Sequence, residues 1–165
     1  MSINPYSKVI TDAFVFDRIA AVKVDGFFFA FFRKPLTLQN FATPLDYTTE
    51  GDNDKIDNDI IAWDFKQEAD TLQCYAVKTG QIYRYTFTFD ADFETVTVRA
   101  TTKLVSNFDG SLYDVKVTGK EVVISCGDCS LPQVVFYDKD LNIFEGGTFN
   151  VKNTEAVPLR LAINY

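Results

Sequence analysis

Cys126-Gly127-Asp128-Cys129 places two thiols at the spacing used by redox-active and metal-binding pairs. A redox pair works where a strand meets a helix N-terminus, because the helix dipole lowers the thiol pKa. Here Ser130-Leu131-Pro132 and the apolar run 134–137 follow, so no helical segment supplies that dipole. A zinc knuckle needs a second pair of ligands, and only Cys74 and carboxylates remain to provide it. The expectation is a hairpin turn, with Cys126 packed inward and Cys129 near the loop. Three cysteines also make an odd count, which fits a reducing compartment better than a disulfide framework.

The acidic clusters are the next candidates. An EF-hand loop needs oxygen ligands at its first, third and fifth positions, glycine at the sixth and a bidentate Glu at the twelfth. In the stretch 50–59 a register starting at Asp52 puts Ile56 at the fifth position. At Asp138-Lys139-Asp140-Leu141-Asn142 the oxygens fall correctly, but Ile143 occupies the glycine position. Both read as solvated loops or turns. A pair of carboxylates could serve a glycosidase without histidine, yet 23 Asp and Glu guarantee some close pair by chance. The chain has no His, which removes the commonest general base and metal ligand and excludes any Ser-His or Cys-His nucleophile. No phosphate loop, GxSxG elbow or dinucleotide fingerprint is present. No catalytic residue, metal or cofactor is expected, and the chain is read as not an enzyme.

Any such groups would have to be carried by strands. Tyr83, Tyr85, Phe87 and Phe89 alternate with Arg84, Thr86 and Thr88, and after the turn at Asp90-Ala91-Asp92 the valines Val96 and Val98 alternate with Thr95 and Thr97. Val122, Ile124 and Cys126 share a face, as do Val134 and Phe136, and the run 157–163 alternates Val157, Leu159, Leu161 and Ile163 with other residues. Period two bounded by Gly and Asp clusters is the half-buried strand signature. Helix is scarce; its best candidate is a short piece at 60–69, and that segment reads equally as strand. The polar stretch 46–59 reads as a surface loop.

The run 27–32 is apolar on both faces. It reads as a central strand covered on both sides, or as one whose second face is buried by a partner. Phe28 and Phe32, with the single Trp63, are therefore the candidate interaction residues. Trp63 and the tyrosine-rich strand also admit a carbohydrate-binding, lectin-like reading, since sugars stack on aromatic faces.

Val22-Lys23-Val24-Asp25-Gly26, Val77-Lys78-Thr79-Gly80 and Val115-Lys116-Val117-Thr118-Gly119 each end a strand in a turn and precede another apolar strand. Asn107-Phe108-Asp109-Gly110-Ser111-Leu112-Tyr113 looks like the turn entering a propeller blade, and Ile60-Ile61-Ala62-Trp63-Asp64-Phe65 and Val134-Val135-Phe136-Tyr137-Asp138 look like the aromatic-Asp end of a third blade strand. Over roughly residues 19–147 the chain resembles WD40-type propeller blades. It lacks the Gly-His pair and the His-centred tetrad of that family. The resemblance implies about three blades, too few to close a ring of four to eight, hence an open array or one completed by copies of itself.

The expected fold is thus all-β, a single domain over 1–165 of antiparallel meanders, forming either a partial propeller-like array or a sandwich or barrel. A net charge of −7 argues against a general phosphate-binding surface or an anionic membrane, so no nucleic-acid or membrane partner is expected. No apolar run reaches the roughly 18 residues of a membrane span. The N-terminal residues lack a signal-peptide layout, which points to a cytoplasmic or virion-assembled chain. The favoured function is a non-catalytic structural or protein-interaction subunit of a larger assembly, homo-oligomeric or mixed. Phage head, neck and tail components offer the nearest analogy. A lectin-like module and a carboxylate-only hydrolase are the alternatives.

Overall fold

A computed structural model describes residues 10–24, 29–51, 56, 59–68 and 70–150. The fold is all-β: among the described residues, three sheets and one short helix account for the regular structure. The first sheet has the order β1 (Ile10–Val15), β2 (Ile19–Val24), β3 (Phe29–Arg33). The second has the order β4 (Asp46–Thr49), β8 (Thr95–Val105), β7 (Gln81–Phe89), β6 (Thr71–Lys78), β5 (Ala62–Glu68). The third is a serial meander of β9 (Tyr113–Val117), β10 (Val122–Cys126), β11 (Gln133–Tyr137) and β12 (Ile143–Asn150). None of the three closes into a barrel among the described residues. The Val-Lys markers fall in β2, at the end of β6 and in β9, one in each sheet.

Of the segment read as helix or strand, Ala62–Glu68 takes the strand alternative as β5, where Trp63, Phe65 and the β-branched neighbours of the sheet favour a pleated surface. The helix lies instead at α1 (Leu38–Ala42), where the hydroxyl of Thr37 accepts the N–H of Asn40 at 3.2 Å as an N-cap. The polar stretch beginning at Asp46 is not entirely loop. Asp46–Thr49 pairs in parallel with β8, from Asp46↔Thr95 to Thr49↔Val98, and the Thr48 and Thr97 hydroxyls meet at 2.9 Å.

The chain divides into two compact units. The first contains 1–58, 69–71 and 87–99. Its centre is β3, whose Phe29, Ala30, Phe31 and Phe32 are all buried. This strand is doubly covered as its composition predicts, but it ends its sheet instead of lying centrally. On one face Phe31 meets Phe87 and Phe89 at ring separations of 5.1 and 5.5 Å. On the other, Phe32 stacks on Phe41 at 4.8 Å beside Val22. The free edge is met from the same chain: Leu45 donates its N–H to the Phe31 carbonyl, and the Tyr47 hydroxyl donates to that of Phe29. The second face of β3 therefore needs no partner.

The second unit contains 59–68, 72–86 and 100–165. Its core collects the inward face of the third sheet, with Val115 and Val117 from β9, Val122, Ile124 and Cys126 from β10, and Val135 and Tyr137 from β11. Tyr75, Val77 and Ile82 close over them. Alternation alone selects these residues, and the register Ile124↔Val135 and Ile124↔Val115 lines them up.

Asp64 is the buried carboxylate of this core, accepting the Val117 N–H at 2.8 Å. Burial raises its pKa, opposed by the N–H groups of Val117 and Phe65. At neutral pH, Asp64→Ala is expected to lose about 1–3 kcal/mol by orphaning the Val117 donor. Asp64→Asn keeps an acceptor oxygen and sheds a disfavoured charge, so its loss stays within about 0.5 kcal/mol. Because the folded-state pKa is raised, the wild type gains stability relative to Asp64→Asn as pH falls back toward the ordinary value of 3.8. Denaturant melts of the three proteins across that range check both points.

Candidate functional site

Phe28 lies outside the described residues, as do 52–55, 57 and 58 of the acidic loop and the alternating run 157–163. Phe32 is fully buried and serves the core, so it offers no surface to a partner. Trp63 is half-buried on β5. Among the described residues, the recesses with chemical character lie on the third sheet.

The thiol pair is joined as a Cys126–Cys129 disulfide with Cα atoms 5.7 Å apart, contrary to the expectation of reduced cysteines. The odd count resolves into one bonded pair and one free, fully buried Cys74, whose thiol pKa burial pushes well up. Both bonded sulfurs lie on residues buried to 6% exposure or less, so no reactive thiol is presented.

Around the disulfide two Asp-x-Ser segments cross-cap one another. Asp128 accepts the N–H groups of Ser111 and Leu112 at 2.8 and 2.7 Å and the Ser111 hydroxyl at 2.8 Å. Asp109 in turn accepts the Ser130 N–H at 2.8 Å and the Ser130 hydroxyl. The Ser130 side chain, with its N–H, holds the Asp109 pKa down. Burial works against ionisation of Asp128, but the Leu112 N–H and the Ser111 hydroxyl outweigh it, and its pKa is lowered too. A general acid needs the opposite shift and a position in a cleft. Asp64 has the shift, but it lines neither of the two recesses of the third sheet.

Those recesses lie on opposite sides of the β11–β12 pair. Register sets Val134 against Phe149 and Val135 against Thr148, so neighbouring residues serve different faces. On the outer side Phe136, Phe144 and Phe149 surround a shallow apolar recess of about 290 Å³, bordered by Glu121. Phe136 and Phe149 meet edge to face at 5.6 Å, and Phe149 remains 54% exposed. From Val135↔Thr148 to Tyr137↔Ile143, β12 advances five positions while β11 advances two, and Gly146 takes a positive φ of 69° within this bulge. On the inner side Gln133, Val135 and Tyr137 line a cleft of about 590 Å³ with Thr148 and the turn residue Asn142.

The 138–142 turn, read from sequence as a calcium candidate, spends its oxygens on itself. The Asp138 carboxylate accepts the N–H groups of Asp140 and Asn142, both at 2.9 Å, and these bonds lower its pKa. Arg84 anchors the turn from β7, donating to the Lys139 carbonyl at 2.8 Å and to Asp140 at 2.7 Å, while the Tyr75 hydroxyl donates to the same carbonyl. Lys139 reaches Glu68 at 2.8 Å. Leu141 is thereby held at φ 65°, a left-handed conformation rare for a branched side chain, and Asn142 is fixed at the rim of the cleft.

Sequence reasoning missed both recesses because Phe144 and Phe149, five residues apart, break strand periodicity across the bulge. Comparison of the chain with protein-family models, with curated proteins and with solved structures finds no match.

Proposed function

We propose that the chain is a non-catalytic subunit that self-associates through the outer face of β11 and β12. The observation that carries this reading is the cluster of exposed Phe144 and Phe149 around the apolar recess, on the outermost described strand of its sheet. Water-facing aromatic clusters of this kind are costly on an isolated monomer and mark contact surfaces.

The bulge at Gly146 twists the edge of β12 away from a regular ladder, which disfavours strand addition. The face beside it remains for docking. A second copy brings the same phenylalanines and needs only a two-fold axis, the commonest arrangement of soluble oligomers. The rim carries both signs, with Glu121 preceded by the exposed Lys120 and with Glu145 exposed on β12, so a two-fold contact can set unlike charges together.

Sedimentation equilibrium is the test. The wild type is expected to form a dimer or larger closed oligomer, and Phe149→Asp is expected to be a folded monomer whose melting temperature no longer rises with protein concentration, because this side chain is already half in water. A wild type that stays monomeric at high concentration overturns the reading.

A further inference from the structure

The inner cleft carries a separate inference, independent of association through the outer face. Its floor is Tyr137, which is 3% exposed yet whose hydroxyl makes no hydrogen bond among the described residues. Burial alone pushes its pKa up to about 12, with no partner to hold the proton or the anion. A sealed, unbonded hydroxyl would be costly. This one is not sealed, since no fully buried polar side-chain atom lacks a partner, so it keeps access to the cleft that it lines. A nearly buried donor-acceptor group left open to a cavity is a group waiting for a ligand.

The groups around it define the ligand's chemistry. Gln133 stands two strand positions from Val135 and four from Tyr137 on the same face of β11, and Thr148 faces Val135 across the ladder. Asn142 enters from the anchored turn, and Ser106 and Asn107 from the segment after β8. Each is neutral and can both donate and accept. No charged side chain lines the cleft among the described residues, although the chain as a whole is strongly acidic. A charged ligand would therefore lose its hydration without an ionic partner in return. Val135, Leu141 and Ile143 supply apolar contact between the polar groups. Alternating hydroxyl recognition and C–H contact, without charge, is the signature of a neutral polyhydroxylated molecule. The volume of about 590 Å³ suits one or two sugar rings.

We infer that the cleft between β11, β12 and the 106–108 segment binds a neutral mono- or disaccharide, with the Tyr137 hydroxyl hydrogen-bonded to a sugar hydroxyl at its floor. The test is an amide-resolved NMR titration of the whole chain. The probes are glucose, galactose, mannose, N-acetylglucosamine, cellobiose and lactose, with glucuronate and glucosamine as charged counterparts. At least one neutral sugar is expected to shift the amides of Gln133, Tyr137, Asn142 and Thr148 saturably, and the charged counterparts at least tenfold more weakly. Tyr137→Phe keeps the ring and is expected to weaken that binding about tenfold at an unchanged melting temperature. Three results overturn the inference: no saturable shift with any neutral sugar, equal binding of charged and neutral forms, or a lowered melting temperature in Tyr137→Phe, which would give the hydroxyl a structural partner instead.

Discussion

Gly110→Ala is expected to destabilise the second unit by about 2–4 kcal/mol, although Gly110 sits in a half-exposed turn and has an ordinary backbone conformation. A methyl group here would lie 2.8 Å from Cγ of Asp128 and 2.9 Å from the backbone nitrogen of Cys129. The carboxylate cannot swing away cheaply, because it holds two N–H groups and a hydroxyl from Ser111 and Leu112. Either the methyl forces the turn open or these bonds break. The folded-state pKa of Asp128 is lowered, so the stability that these bonds supply is present above the ordinary value of 3.8 and is lost in stronger acid. The penalty of the substitution is therefore largest near neutrality and shrinks on acidification. Denaturant melts of Gly110→Ala and Gly110→Ser against wild type, repeated at acid pH, measure it. An alanine variant as stable as wild type at neutrality would show that the crossed caps carry little weight.

Phe32→Ala is expected to cost more, about 3–5 kcal/mol, the usual range for emptying a buried aromatic site. Phe32 has no exposed surface and loses its stacking partner Phe41, whose ring lies 4.8 Å away. For a chain of this length that loss lowers the melting temperature by roughly 6–20 °C. Phe32→Leu refills most of the volume and should recover more than half of it. A partner-binding Phe32 would behave in the opposite way, changing association and leaving the melt in place. Thermal melts and sedimentation of the two variants separate these outcomes.

Strand character was legible wherever one face is wet. Tyr83, Tyr85 and Phe87 show their period in the sequence, and all three are buried as that period demands. The second apolar face of β3 was legible too, but not its cover, because composition records how much surface must be hidden and not by which segment. Here the cover comes from Phe41, Phe87 and Phe89, which lie far along the chain or on elements that propensity does not reveal. Asp46–Thr49 went unread because an exposed four-residue strand of Asp, Tyr and Thr has no buried face to print a pattern.

The candidate surfaces were less legible for related reasons. Cys126 and Cys129 gave a spacing but no redox state, which depends on a turn built by Asp109, Asp128 and two serines from separate segments. The phenylalanine recess straddles a bulge, where counting residues by twos assigns Phe144 and Phe149 to opposite sides. Tyr137 looks in sequence like any core aromatic, and it is distinguished by a hydroxyl without a hydrogen bond among the described residues.

Strand β11 is a ledger written on both sides of one page. Val134 and Phe136 answer to the apolar exterior, while Gln133, Val135 and Tyr137 answer to the core and its polar cleft. Adjacent codons therefore experience unrelated selective demands, and substitutions at one set leave the other free to drift. Insertion or deletion is a different matter. Losing Val134 or Val135 would put the two halves of the strand out of phase and bring Gln133 and Phe136 to the same face. The segment can thus diverge rapidly in composition over evolutionary time while its length stays fixed.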